Sequence, residues 1–127
     1  MKVPIEKMID KAEDALSDAL FNLEDKRYAV AINRAYYAMF YCISALLEVK
    51  QISTKTHQGA HNKFNELYIK TELLPAALNT ALDTVFSLRQ SGDYDFGFES
   101  THPEATAALD HARTFLAATK TYFEANP

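Results

Sequence analysis

Apolar residues return every three or four positions along most of this chain. Ile5, Met8, Ile9, Ala12, Leu16, Ala19, Leu20 and Leu23 form one stripe, with Asp10, Glu13, Asp14 and Asp18 on the wet side. Pro4 suits the first turn of that helix, where its missing N–H is no loss. From Tyr28 to about Glu48 the chain is apolar nearly all round, which predicts a second helix buried on most of its sides. Residues 51–56, β-branched and polar, read as a connection. Thr56 is then the cap of a third helix that turns Ala60, Phe64, Leu67 and Tyr68 inward. Pro75 opens a fourth helix on Leu78, Ala81, Leu82, Val85 and Leu88. That helix is expected to stop near Ser91-Gly92, where glycine tolerates a left-handed closing residue, so that residues 92–101 make the longest loop. Thr101 and Glu104 have capping-box spacing ahead of a fifth helix, whose stripe runs Ala105, Ala108, Leu109, Ala112, Phe115, Leu116, Thr119, Tyr122 and Phe123. No segment alternates with period two for long enough to form a strand. The expectation is an all-α, single-domain up-and-down bundle of four to five helices over residues 1–127.

Composition adds limits rather than elements. The chain has 127 residues, 48% of them hydrophobic, with only 3 Gly and 4 Pro, which suits one sizeable core and argues against disorder and against a turn-rich β design. A single cysteine, Cys42, forbids an intrachain disulfide framework and fits a reducing cytoplasm. The longest apolar run, Tyr28 to Leu47, is interrupted by Asn33, Arg34 and Ser44; a central Arg is costly in a bilayer, so this run is expected to be an inner helix and not a membrane span. The N-terminus shows no apolar signal core. The formal charge of −4 means that a nucleic-acid binder built on this chain must gather its cations locally.

Three places gather chemistry. Arg34 lies in the middle of the apolar helix, on a polar and aromatic stripe with Tyr37, Tyr41, Ser44 and Glu48. A cation there needs a partner: an internal salt bridge to Asp93 or Asp95 is one reading, a site wall facing a phosphate the other. Arg89, expected in the last turn of the fourth helix, is followed within ten residues by Asp93, Tyr94, Asp95, Phe96 and Phe98. A guanidinium forks onto phosphate and aromatic rings stack on unpaired bases, although Phe96 and Phe98 equally suit plugging the bundle end, and Arg89 with Asp93 a closing salt bridge. Val49 to Asn65 holds no acid but carries Lys50, Lys55, His57, His61 and Lys63, a local positive surface or a solvated loop. His57 and His61 have the spacing of a zinc half-site, but Gln58 stands where a metalloprotease places Glu, so no metal is expected.

Arg34-Ala35-Tyr36-Tyr37-Ala38-Met39-Phe40, Lys55-Thr56-His57, Leu73-Leu74-Pro75 and Leu88-Arg89 with Asp93-Tyr94 together resemble the HEPN family, and within it the small stand-alone proteins found beside minimal nucleotidyltransferases. The resemblance spans about residues 5–123. It implies a helical bundle that pairs as a homodimer with its Arg motifs facing across a cleft. It also implies binding of RNA or a nucleotide, a toxin–antitoxin or defence setting, a nucleotidyltransferase partner, and no cofactor. On this chain the cleft residues are Arg89, Asp93 and Tyr94, with Arg34, Tyr37, Tyr41, Lys55 and His57 as further ligand-binding groups. Ribonuclease members of the family carry a His separated from the Arg by four to six intervening residues and work without metal, whereas here Tyr94, Asp95 and Phe96 stand at those positions. Binding therefore carries over better than cleavage, because a phenol is a poor base near neutral pH. The alternatives are cleavage with Arg89 on the phosphate and Asp93 or Tyr94 handling protons, or a purely structural interaction protein.

Overall fold

The structure, a computed structural model, describes residues 4–127. Five helices follow in order: α1 (Ile5–Glu24), α2 (Tyr28–Val49), α3 (His57–Phe64, continued by a π-helical turn Asn65–Ile69), α4 (Ala76–Tyr94) and α5 (His102–Ala125), with no strand among the described residues. α2 is the central element, in contact with each of the other four, which is why its sequence is apolar on nearly every side. It is also the one described helix long and apolar enough to cross a membrane, yet most of it is buried against its neighbours.

Small residues set the closeness of the packing. Ala12, Ala15 and Ala19 of α1 are buried, as are Ala31, Ala35, Ala38 and Ala45 of α2, and methyl side chains let helix axes approach. The larger core side chains, Ile32, Met39, Ile43, Leu46, Phe64, Leu82, Val85 and Phe115, fill the space between α2 and the remaining helices. Tyr68 is buried with its hydroxyl donating to the Leu46 carbonyl, and the π turn that carries it closes with Lys70 N–H on Asn65 O at 2.8 Å. The expected caps are present. Thr56 Oγ1 accepts from Gly59 N–H at 2.9 Å, and Thr101 with Glu104 forms a complete capping box.

The fourth helix departs from expectation. It runs through Gly92 and Asp93 to Tyr94, so the loop is 95–101 and Arg89 lies above the last turn, not in it. Gly92 is not a left-handed cap, for no glycine has positive φ. Its surroundings are close but yielding: a Cβ at Gly92 would lie 2.9 Å from the Ser100 side-chain Oγ and in ordinary contact, 3.5 Å, with the Ala29 Cβ at the start of α2. The left-handed closures fall instead on Lys26, Gln51 and Glu72, each with φ near 60° (62°, 58° and 62°), at the ends of α1, α2 and the π turn.

Candidate functional site

Two helical faces build the site. On α2, Asn33, Tyr36, Tyr37 and Phe40 follow the i, i+3, i+4, i+7 spacing; on α4, Phe86, Arg89, Gln90, Asp93 and Tyr94 do the same with one position added. α4 packs on α2, and α3 adds His57 from its first turn and His61 one turn later. The extra turn of α4 beyond Gly92 is what brings Asp93 and Tyr94 onto the Arg89 face.

Arg89 is the centre. Its side chain is only 10% exposed, and its guanidinium carbon lies 5.2, 5.5 and 5.7 Å from the ring centres of Tyr36, Tyr37 and Tyr94. Its charge is met by Asp93, Oδ2 at 3.3 Å from Nε, but the N–H is not aligned on the carboxylate and makes no hydrogen bond. Nη2 reaches only long contacts, 3.5 Å to Tyr37 Oη and 3.4 Å to Tyr94 Oη. A guanidinium usually saturates its donors when buried; this one is held mainly by aromatic faces. Arg89 also forms part of the wall of a shallow pocket of about 410 Å³, with His57, Gln58, Phe86, Gln90 and Tyr94.

Arg34 does not form the expected salt bridge. Among the described residues it bonds neither Asp93 nor Asp95. Instead Nε and Nη2 donate to Asn33 Oδ1 at 3.0 and 2.7 Å, and Asn33 Nδ2 donates to Asp93 Oδ2 at 2.9 Å. Asn33 stands between cation and carboxylate because Asp93 is engaged by Arg89, and Asp95 is occupied in the loop, accepting Gly97 N–H at 3.0 Å. Arg34 also covers the Tyr37 ring, 4.9 Å from its centre, so that ring meets two guanidinium groups.

His57 and His61 converge on one hydroxyl. Tyr36 Oη is 2.9 Å from His57 Nδ1 and 2.8 Å from His61 Nε2, and the buried Tyr36 ring lies beneath Arg89. His57 is further clamped by stacking on Phe40, ring centres 4.4 Å apart. Burial, and then the Arg89 charge, hold His57 below the ordinary imidazole range. Burial, then His57, bring His61 down to about 4, with Asp83 opposing. Both rings are therefore neutral near pH 7. Burial pushes the Tyr36 hydroxyl up, so it stays a neutral bridge.

Of the residues singled out from sequence, Arg89, Asp93, Tyr94, Arg34, Tyr37 and His57 are drawn together. Of these only Arg89, Tyr94 and His57 line the pocket; Tyr41 lies one turn further along α2, with its ring centre 6.1 Å from Tyr37 and 5.8 Å from Lys11 Nζ, and Lys55 sits exposed on the α2–α3 connection, both outside the cluster. Phe96 does not plug the bundle end, being fully exposed, while Phe98 is half-buried. Asn33 and Tyr36 carry no site role in the sequence reading, and His61 enters there only in a positive stretch and as half of a zinc-like spacing. Their spacing against Tyr37 and His57 was readable, but only as one more helical face.

Comparison with known proteins agrees with this architecture. Residues 5–122 match the HEPN domain family. The chain is 40% identical over 123 residues to the Methanocaldococcus jannaschii protein named "Putative toxin MJ0142", covering 95% of this chain and 82% of that one. It is 38% identical to a UPF0332 protein of Thermotoga maritima over 66% of this chain and 64% of the relative. The crystal structure of TT1696 from Thermus thermophilus shares the fold with a TM-score of 0.79 at 20% identity, covering 93% of this chain and 97% of the other. That of ST0689, an archaeal HEPN homologue, does so with a TM-score of 0.68 at 20% identity, covering 95% and 98%. The match over residues 5–122, together with the 40% identical relative, places this five-helix chain in the HEPN domain family.

Proposed function

We propose that this HEPN chain is a toxin-type module that binds RNA or a nucleotide by its phosphate at the Arg89 pocket, and that it does so as a cytoplasmic homodimer with a minimal nucleotidyltransferase as partner. The observation that carries the reading is the state of Arg89: nine-tenths buried, ringed by Tyr36, Tyr37 and Tyr94, yet with Nε unbonded and Nη2 on long contacts only. With Nε turned to Asp93, it is the weakly held Nη2 that has a donor to give to an incoming phosphate oxygen. The ring of Tyr94 beside it, 69% exposed, and that of Phe96 on the following loop, 104% exposed, offer faces to an unpaired base. Relatives named as toxins support the biological setting. Asp93, tied to both Arg89 and Asn33, is a positioning group in this reading, one that fixes the guanidinium on the pocket wall.

The test is a salt titration of binding to a fluorescent single-stranded oligoribonucleotide by anisotropy, with sedimentation analysis of the protein alone. Arg89→Ala should weaken binding and lower the salt slope by about one. Unchanged affinity and slope reject the pocket, and a strictly monomeric protein rejects the dimer.

A further inference from the structure

We propose that the groove at the bundle end away from Arg89 is a docking site for a partner protein, and that its occupant is a basic amphipathic helix, an apolar stripe with Lys or Arg on both flanks. The groove encloses about 830 Å³ where the first turns of α1 meet the last turns of α2 and α5. From Tyr37 to Val49 the α2 axis advances about 18 Å. The groove is therefore separate from the Arg89 pocket, and the proposal stands apart from the phosphate-binding reading.

The floor is apolar and comes from three helices: Ile5 and Ile9 of α1, one turn apart, Val49 of α2 and Phe123 of α5. Ile5, Ile9 and Phe123 are half-buried and Val49 is exposed, so the edge of the core is left wet at this end of the bundle. A groove of this volume accepts several anchor side chains of a docked helix.

The walls decide the chemistry of the occupant. Glu6 and Asp10, one turn apart, come from α1, Glu124 from α5 and Glu48 from the end of α2. Among the described residues the groove has one cation, Lys120, and its Nζ is held by Glu13 at 2.6 Å. Helix ends add to the negative field. α2 and α5 both finish here, and neither has a basic residue in its last turn to offset the carbonyl end of its dipole. Lys50, which follows α2, lies over the Tyr68 ring, 5.2 Å from its centre. The N-terminus of α1 is the one positive helix end at the groove, and Glu6 meets it from the first turn. An apolar floor between acidic walls is complementary to an apolar stripe between basic flanks. The same walls repel a phosphate backbone, so this end is no extension of a nucleic-acid surface. The cation-rich stretch of this chain, residues 49–65, does not provide such a helix to a second copy, because its Ala60 and Phe64 are turned into its own core.

The experiment uses the full-length chain and a labelled Leu/Lys peptide of about 14 residues, about four helical turns, with leucine on one stripe and lysine on both flanks. Two control peptides carry glutamate in place of lysine, or serine in place of leucine. By fluorescence anisotropy the Leu/Lys peptide should bind at least about 10-fold more tightly than either control, and less tightly as salt rises. The combined variant Glu6→Gln, Asp10→Asn, Glu124→Gln alters three exposed positions and should weaken that peptide about 10-fold. Asp14→Asn, Asp18→Asn, Glu24→Gln makes the same change of net charge further along α1 and should shift affinity less than about twofold. Arg89→Ala should leave peptide binding unchanged. Absence of binding at about 1 mM peptide overturns the proposal. So do equal losses in the two combined variants, which mean general attraction to an acidic protein, and equal binding of the serine control, which means that the floor is not used. Sedimentation of the protein alone covers the remaining occupant: self-association that the Glu6, Asp10 and Glu124 changes abolish assigns the groove to a second copy and overturns the proposal as well.

Discussion

Asp93 lies one helical turn beyond Arg89 on α4, its Oδ2 3.3 Å from the guanidinium Nε, and the pair exists only because α4 continues through Gly92 to Tyr94. The carboxylate also receives Asn33 Nδ2, so a single oxygen ties α4 to α2 beside Arg89. A guanidinium fixed in this way faces the pocket with its position set and its donors underused.

The helical state of Gly92 gives a prediction that separates it from a left-handed cap. In a helix, alanine is favoured over glycine by up to about 1 kcal/mol, and the Ser100 hydroxyl, 2.9 Å from the new Cβ, can swing aside. Gly92→Ala should therefore stabilise slightly, whereas at a positive φ it would destabilise. Conversely Gln51→Gly, at φ 58°, should raise stability by about 0.5–1 kcal/mol. Urea melts of the two variants check both signs.

Arg89→Met should separate folding from binding. The variant removes a buried charge whose Nε makes no aligned hydrogen bond and whose Nη2 makes only long ones, and Asp93, with 23% of its side chain exposed, keeps its Asn33 bond, so stability should change by less than about 2 kcal/mol. Oligoribonucleotide affinity should fall about 10- to 100-fold, the loss of one or two charge-assisted hydrogen bonds. A large stability loss with unchanged affinity would mean that the residue is structural.

Asn33 mediates between Arg34 and Asp93, so its substitutions should read out electrostatics. Asn33→Ala removes three hydrogen bonds on partly exposed partners and should cost about 1–2 kcal/mol in stability. Asn33→Asp places a second carboxylate beside Asp93 and should lower oligonucleotide affinity further than Asn33→Ala does, a difference that shrinks as salt rises.

Stability should fall on mild acidification. His61 is neutral in the fold, with its pKa lowered to about 4, against an unfolded value of about 6.5. Above about pH 6.5 neither state holds the extra proton. Below it the unfolded chain binds first, so folding stability declines until about pH 4, and the His61 share at pH 5 is about 2 kcal/mol. His57, shifted the same way, adds to the loss. Urea melts at about pH 7.5 and about pH 5 should show a smaller difference in His61→Gln than in wild type.

The sequence alone determined the helices, their buried faces and their polar caps, because these follow from periodicity and local hydrogen bonding. The stripe ending in Leu88, the Thr56 cap and the Thr101–Glu104 box could be read one segment at a time. It also pointed to Arg89, Asp93, Tyr94, Arg34, Tyr37 and His57 as groups with chemistry to offer. Only the tertiary structure decided how they meet. Gly92 reads locally as a stop, but its packing against Ala29 and Ser100 lets α4 run on and carry Asp93 and Tyr94 onto the Arg89 face. Asn33 intercepts Arg34, and Tyr36 gathers two histidines from another helix, because α2 lies against both α3 and α4. Contacts between residues more than twenty positions apart depend on the packing of whole helices, and no local pattern encodes them.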